Sequence, residues 1–362
     1  MKIAIVLGTR PEIIKFSPII RECDRLDLDY FLVHTGQHYW YCMDKVFFVQ
    51  LGLKEPRYVL DVRSASHGSQ TGRMLMGIEK ILLLKEQPSV VLVEGDTNTV
   101  LAGALAAVKL GIKVGHVEAG LRSYDRQMPE EINRVLTDHC SDLLFAPTSN
   151  SKEILLNEGI LRSKIFVTGN TVVDAVFQNL RISKKEGNVH CRLGLEKGAY
   201  FLATVHRQEN VDDKERFGKI LKGLEMVEKK FGFPVIYPAH PRSRKQLRLL
   251  GIKAKGVKVT EPLDYLNFLR LESEARLVLT DSGGVQEEAC ILGVPCVTLR
   301  YNTERPETVD VGANALAGTD PDDIVEKTEF MLNAKNKWEN PFGDGKAGKR
   351  IVQILRKKID SN

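Results

Sequence analysis

Short runs of β-branched and aliphatic residues alternate along this chain with longer stretches whose apolar positions recur at helical spacing. Lys2–Leu7 reads as a first strand, with a helix over Pro11–Cys23 behind it. Tyr30–His34, Val90–Glu94, Lys113–Val117 and Leu143–Ala146 read as further strands, with helical patterns over Thr97–Leu110 and Glu130–Cys140. This rhythm predicts βαβ units, and hence an α/β fold with a parallel sheet between layers of helices. It restarts near residue 200, where Tyr200–Val205, Pro234–Tyr237, Gly256–Thr260, Leu277–Thr280 and Pro295–Leu299 form a second set of strands. Arg181–Asn188 is polar and lacks clear periodicity, so a boundary is expected there or slightly before it. The expected domains are 1–175 and 176–345, with one more helix over Lys346–Lys358.

A length of 362 residues supports two domains rather than one core. A net charge of +5, spread along the chain, leaves no footprint for nucleic acid or a membrane surface. Apolar runs are too short for a membrane helix. Met1 leads straight into a strand-like segment, so no signal peptide is expected. Six scattered cysteines form no C-x-x-C pair, which fits reduced, mostly buried thiols in a cytoplasmic protein.

Candidate chemistry sits where strands run into helices. Gly8-Thr9-Arg10-Pro11-Glu12 follows the first strand, where helix N–H groups and Arg10 could meet phosphate oxygens. The plainer reading is a surface arginine at a tight turn. In Gly95-Asp96-Thr97, Asp96 either caps the next helix or, if Thr97 supplies the cap, points into the crevice. Glu118 ends a further strand, where it either works as an acid or pairs with His116 or Arg122 to hold a loop. Glu130 and Glu131 open a helix, and Glu130 shares a face with Arg134. In the second half, His206 and Arg207 follow the strand that mirrors Lys2–Leu7. Asp281-Ser282-Gly283-Gly284 leads from strand to helix, with Glu288 two turns in. Such glycines let N–H groups approach a phosphate, and a carboxylate like Glu288 could hold ribose hydroxyls. Gly343 to Lys349 has P-loop spacing, but Arg350 replaces the magnesium-holding hydroxyl and no strand precedes it, so it is read as an accident. No metal constellation stands out.

Taken in order, these segments resemble the non-hydrolysing UDP-N-acetylglucosamine 2-epimerases. The resemblance also takes in Gly169-Asn170-Thr171, Thr303-Glu304-Arg305-Pro306-Glu307 and Asn340–Gly345, and covers nearly the whole chain. It implies a GT-B architecture: two Rossmann-like domains with the site in the cleft between them, and segment 346–362 returning to the first domain. It implies catalytic acids at Asp96, Glu118 and Glu130, with Glu131 an alternative to Glu130 because the Arg122–Pro129 loop is short. Nucleotide-binding positions fall on Arg10, His206, Phe268, Ser282, Gly283, Gly284, Glu288 and Arg305, with Lys15 close by and Arg207 beside His206. It further implies a cytoplasmic homodimer that needs no cofactor. The chain departs from the bacterial pattern at Tyr39-Trp40-Tyr41 and Gln208, so activation by a second UDP-GlcNAc is not expected.

The implied reaction explains the residue types. The C2 proton of the sugar has no neighbouring carbonyl, so direct abstraction is slow. Expulsion of UDP from C1 builds positive character there and acidifies C2. That route needs cations and N–H groups for the diphosphate and acids for either face of C2, with His206 able to serve both sides of the chemistry. Rival readings are a UDP-2,3-diacetamido-sugar epimerase, a hydrolysing epimerase, a GT-B glycosyltransferase, and a UDP-sugar-binding regulator without catalysis. Three acids on one domain favour the epimerase.

Overall fold

A computed structural model describes residues 1–359 except 38–40, 186, 188, 252–254 and 335–336, with backbone alone at 41–44. The chain divides into two compact units, Met1–Gln178 with Phe342–Asn362, and Asn179–Pro341.

The first unit carries a seven-stranded sheet in the order β3-β2-β1-β4-β5-β6-β7. Its strands are β1 (Lys2–Leu7), β2 (Asp29–His34), β3 (Tyr58–Val59), β4 (Val90–Glu94), β5 (Lys113–Val117), β6 (Leu143–Ala146) and β7 (Ile165–Val167). Every pairing is parallel. The second unit repeats the plan in six strands, ordered β10-β9-β8-β11-β12-β13. These are β8 (Phe201–Thr204), β9 (Val235–Pro238), β10 (Val257–Thr260), β11 (Leu277–Thr280), β12 (Cys296–Thr298) and β13 (Asn314–Leu316). Ile3–Leu7, Val90–Val93, Phe201–Ala203 and Leu277–Leu279 are all buried, as expected for central strands covered on both faces.

Strand order reverses between β1 and β4 in the first sheet, and between β8 and β11 in the second. Chain connections run away from each other at such a point and leave a crevice at the strands' carboxyl ends. The segments after β1 and β4 begin with Gly8 and Gly95, and those after β8 and β11 with Val205 and Asp281.

The central strands lie where the hydrophobic pattern puts them, within a residue or so at each end. Three short strands carry no readable pattern: β3, β7 and β13, which are all sheet edges. An edge strand of two or three residues pairs on one side only and needs no long apolar run. The change of unit falls at Gln178–Asn179, inside the helix Thr171–Ser183 and just before the polar stretch Arg181–Asn188. Val172, Val173, Ala175 and Val176 bury this helix's first half, so its polar end continues a packed element.

The helix Ala347–Ile359 buries Ile351, Val352 and Leu355 on one face. Gly348 lies flat on Pro18 of the helix Arg10–Arg25, where a Cβ would come 3.0 Å from the proline Cβ. The N–H groups of Ala347 and Gly348 both donate to the Asp174 carboxylate, at 3.1 Å each. The P-loop spacing is therefore a helix start whose donors are already taken. Among the described residues, no helix is long and apolar enough to cross a membrane. Cys23, Cys290 and Cys296 are buried, Cys140 is half-buried and Cys191 is exposed.

Gly120 turns the chain after β5 at φ +83°, and a Cβ there would overlap the Ser151 carbonyl oxygen. Gly120→Ala should therefore cost roughly 2–4 kcal/mol through left-handed backbone and overpacking. Denaturant unfolding measures this; an unchanged midpoint would contradict the tight approach.

Candidate active site

Side chains that converge at the end of the first sheet come from four segments. Lys15, on the helix after β1, reaches the loop after β5, where its Nζ lies 2.5 Å from Glu118 Oε2. The same Nζ lies 3.2 Å from Glu94 Oε1 at the end of β4. Glu118 Oε1 accepts from the Asn170 side-chain amide at 3.1 Å. Glu118 is 8% exposed and its backbone sits at φ +71°. A non-glycine residue in the left-handed region is sparse, and such strain gathers where a side chain must be aimed.

Beside this cluster, Arg134 Nη2 contacts Asp96 Oδ2 at 2.5 Å, and the Asn133 amide donates to the Asp96 carbonyl at 3.0 Å. Asp96 does not cap the helix Asn98–Lys109, and Thr97 stands at its N-cap position without a side-chain capping bond. The Thr97 hydroxyl instead donates to Glu12 Oε1 at 2.6 Å. The other Glu12 oxygen takes the Gly8 and Thr9 N–H groups at 2.6 and 3.2 Å. Burial pushes the Glu12 carboxyl up to about 7, against these donors. Glu12 thus ties the turn after β1 to the turn after β4. Gly8 is needed there because a Cβ would overlap the Thr35 and Thr99 hydroxyls.

The pairing of Glu118 with His116 or Arg122 is not what the structure contains. Both partners go to Asp138, which is buried in the helix Pro129–Cys140: His116 Nδ1 at 2.6 Å and Arg122 Nη1 at 2.7 Å. The Gly120 N–H donates to the same carboxylate at 3.1 Å. Burial raises the Asp138 carboxyl, but His116 and Arg122 outweigh it and hold it below its ordinary value. Asp138 therefore fixes the loop from which Glu118 projects.

Glu130 does not pair with Arg134, although they share a helix. Arg134 goes to Asp96 and, at 3.1 Å, to Glu131 Oε2. Glu131 also accepts the Ser123 N–H, the Ser123 hydroxyl and the Tyr124 N–H, each at 2.9 Å. It is 3% exposed, and these donors outweigh burial and lower its carboxyl. Glu131 is thus taken up in closing the short loop after Arg122, while Glu130 is half-buried. Arg10 opens its helix with its guanidinium over the Phe47 ring, 5.1 Å from the centroid.

The second unit arranges its candidates around Asp281, fully buried at the end of β11. Its carboxylate accepts the backbone N–H groups of His206 and Arg207, at 3.0 and 2.9 Å, and the Asn210 amide at 3.1 Å. The His206 ring lies 3.4 Å away through Nδ1. The turns after β8 and β11 are so brought together. Ser282 takes the N-cap position of the helix Gly283–Leu292 without a side-chain capping bond. A Cβ on Gly283 would come 3.4 Å from Glu304 and 3.9 Å from Arg207, and Gly284 is open. Arg305 pairs with Glu287 at 3.3 Å, and Phe268 packs with the apolar residues under β8 and β11. Glu288 lies against Glu272 and Tyr265; burial lifts its carboxyl to about 7. Among the described residues, no group of three metal-ligating side chains occurs.

A family profile described as UDP-N-acetylglucosamine 2-epimerase matches residues 21–356. The chain is an enzyme of the UDP-N-acetylglucosamine 2-epimerase family. It is 56% identical to the UDP-N-acetylglucosamine 2-epimerase of Methanocaldococcus jannaschii, over 98% of this chain and 99% of that one. It is 44% identical to the UDP-2,3-diacetamido-2,3-dideoxy-D-glucuronate 2-epimerase of Pseudomonas aeruginosa, over 99% of this chain and all of that one. A crystal structure of the M. jannaschii UDP-GlcNAc 2-epimerase in complex with UDP-GlcNAc and UDP superposes with a TM-score of 0.87, covering 99% of this chain and 100% of that one. The fold class is the expected one, α/β with two Rossmann-like units of GT-B type.

Sequence reasoning passed over Glu94, Glu12 and Asp138. A glutamate closing a strand of four buried valines and leucines was the available signal for Glu94. The departure from the bacterial pattern at Tyr39-Trp40-Tyr41 lies outside the described residues, apart from the backbone of Tyr41.

The two neighbouring glutamates should separate in stability. Glu131→Ala orphans three donors and should cost about 1–3 kcal/mol at neutral pH, whereas Glu130→Ala should stay within about 0.5. The Glu131 carboxyl is lowered in the folded state. Its contribution is therefore complete above the ordinary Glu value of about 4.3 and fades as pH falls through the lower folded one. Unfolding curves at several pH values check both; equal losses for the two variants would contradict the division.

Proposed function

We propose that this enzyme interconverts UDP-GlcNAc and UDP-ManNAc at C2, through loss and return of UDP. The observation that carries the reading is the placement of Glu118 and Asp96, each beside one cation, at the switch point of the first sheet. The M. jannaschii relative crystallised with UDP-GlcNAc and UDP supports the substrate.

In this reading the second unit grips the nucleotide. The N–H groups at Ser282–Gly284 and the His206 and Arg207 side chains receive the diphosphate, Arg305 adds charge, Glu288 takes the ribose and Phe268 lines the base end. In the first unit Arg10 is the candidate cation, and Lys15 stands against Glu118. The C1–O bond breaks with its electron pair leaving on UDP, and the C2 proton passes to a carboxylate, giving 2-acetamidoglucal. A different acid returns a proton to the other face as UDP adds back to C1, and the epimer forms. Asp96, Glu118 and Glu130 are the exchanging acids. Glu131 is left out of this set because its oxygens are occupied by the loop. No redox step occurs, so the route calls for no cofactor.

A second reading has its own support: the 44% relative is named for a 2,3-diacetamido-2,3-dideoxyglucuronate, so an acetamido group at C3 and a carboxylate at C6 separate two substrates for one chemistry.

The purified chain, incubated with UDP-GlcNAc alone, should produce UDP-ManNAc to an equilibrium mixture. Glu118→Gln, Asp96→Asn and Glu130→Gln should each lower kcat by ~10²–10⁴ with UDP affinity kept. Free ManNAc with UDP would replace the reading by a hydrolytic one. No conversion of UDP-GlcNAc, with conversion of a diacetamido analogue, would favour the second. Wild-type kcat in all three variants would remove the acids from the chemistry.

A further inference from the structure

Lys15 faces two buried carboxylates, and among the described residues it is the cation that acts on Glu94. Glu118 Oε2 is at 2.5 Å and Glu94 Oε1 at 3.2 Å, and Glu94 is 1% exposed. A second buried anion without its own cation costs several kcal/mol, and such a site relieves the cost by keeping one proton. The hydrogen bonds say which carboxyl keeps it. Glu118 accepts from Lys15 and from the Asn170 amide, and both favour its ionised form. Glu94 Oε1 has the longer contact and accepts no hydrogen bond.

We propose that Glu94 is a positioning residue for Glu118: it stays protonated in the resting enzyme, donates to Glu118, and so holds Glu118 ionised against Lys15. The other groups that face Glu94 agree. Glu12, on the same helix as Lys15, adds negative potential, and the Glu94 carboxyl stands well above its ordinary value, through burial first and then the two neighbouring glutamates, against Lys15. On β5, His116 is engaged with Asp138 and with the Gly95 carbonyl. The inference rests on the proposed role of Glu118 in exchanging the C2 proton. A Glu118 that is ionised yet hydrogen-bonded to a neutral acid can accept that proton without leaving two anions on one ammonium. As pH rises and Glu94 ionises, its donor to Glu118 is lost and the second anion competes for Lys15, so Glu118 is no longer held in place and turnover should fall on the alkaline side.

The test uses the intact enzyme and two readouts. An infrared difference spectrum, wild type minus Glu94→Gln, should show a protonated-carboxyl stretch at neutral pH that disappears at high pH. Wild-type kcat should fall about tenfold per pH unit above that titration, while Glu94→Gln stays flat until the next group titrates. An amide matches the neutral acid in shape and as a donor, so the variant should fold and melt close to wild type. No protonated band at neutral pH, superposable pH profiles, or a Gln variant that does not fold would each overturn the proposal. A wild type that converts no UDP-sugar would instead sink the epimerase reading, and the infrared band would still decide the state of Glu94.

Discussion

Among the described residues, Lys15 is the ammonium on which the acidic end of the first sheet depends. It stands on the helix that follows β1, and the carboxylates it meets stand at the ends of β4 and just past β5. That meeting requires β4 to lie next to β1, which is the point where strand order reverses. Remove the cation and the Glu94–Glu118 pair keeps a buried negative charge with no ammonium against it, an arrangement that folded proteins avoid. The rest of the first unit reads as support for the same geometry. Glu12 ties two turns together, Asp138 holds the loop behind Glu118, and Glu131 closes the loop behind Arg134.

The second unit solves a different problem with the same fold. Its buried aspartate, Asp281, faces backbone N–H groups and an amide rather than a lysine. The carboxylate spends its charge on fixing the turns after β8 and β11. Gly284, in the first turn of the helix that follows, is left as open backbone, the kind of surface that suits an anion. One unit thus concentrates carboxylates and the other backbone donors and arginines.

Much of this was legible in the residues. Central strands declared themselves because both faces are covered and every position is apolar. Asp96, Glu118, His206 and Ser282 stood out as candidates because they follow such strands at the carboxyl ends, where a crevice opens. What stayed hidden depends on partners far away in the chain. Nothing near Glu118 says that His116 and Arg122 will turn away to Asp138, or that Glu118 will find Lys15 instead. Glu130 and Glu131 look alike in a helix's first turn; only the backbone N–H groups of Ser123 and Tyr124 tell them apart. Edge strands β3, β7 and β13 were unreadable because pairing on one side needs so few residues.

The central claim is that carboxylates of the first unit exchange the C2 proton of a UDP-N-acetylamino sugar. Proton NMR of UDP-GlcNAc incubated with the enzyme in D₂O addresses it directly. The account predicts UDP-ManNAc carrying deuterium at C2, with deuterium washing into the recovered UDP-GlcNAc as the reaction reverses. Epimer formed with the original proton retained at C2 would contradict it.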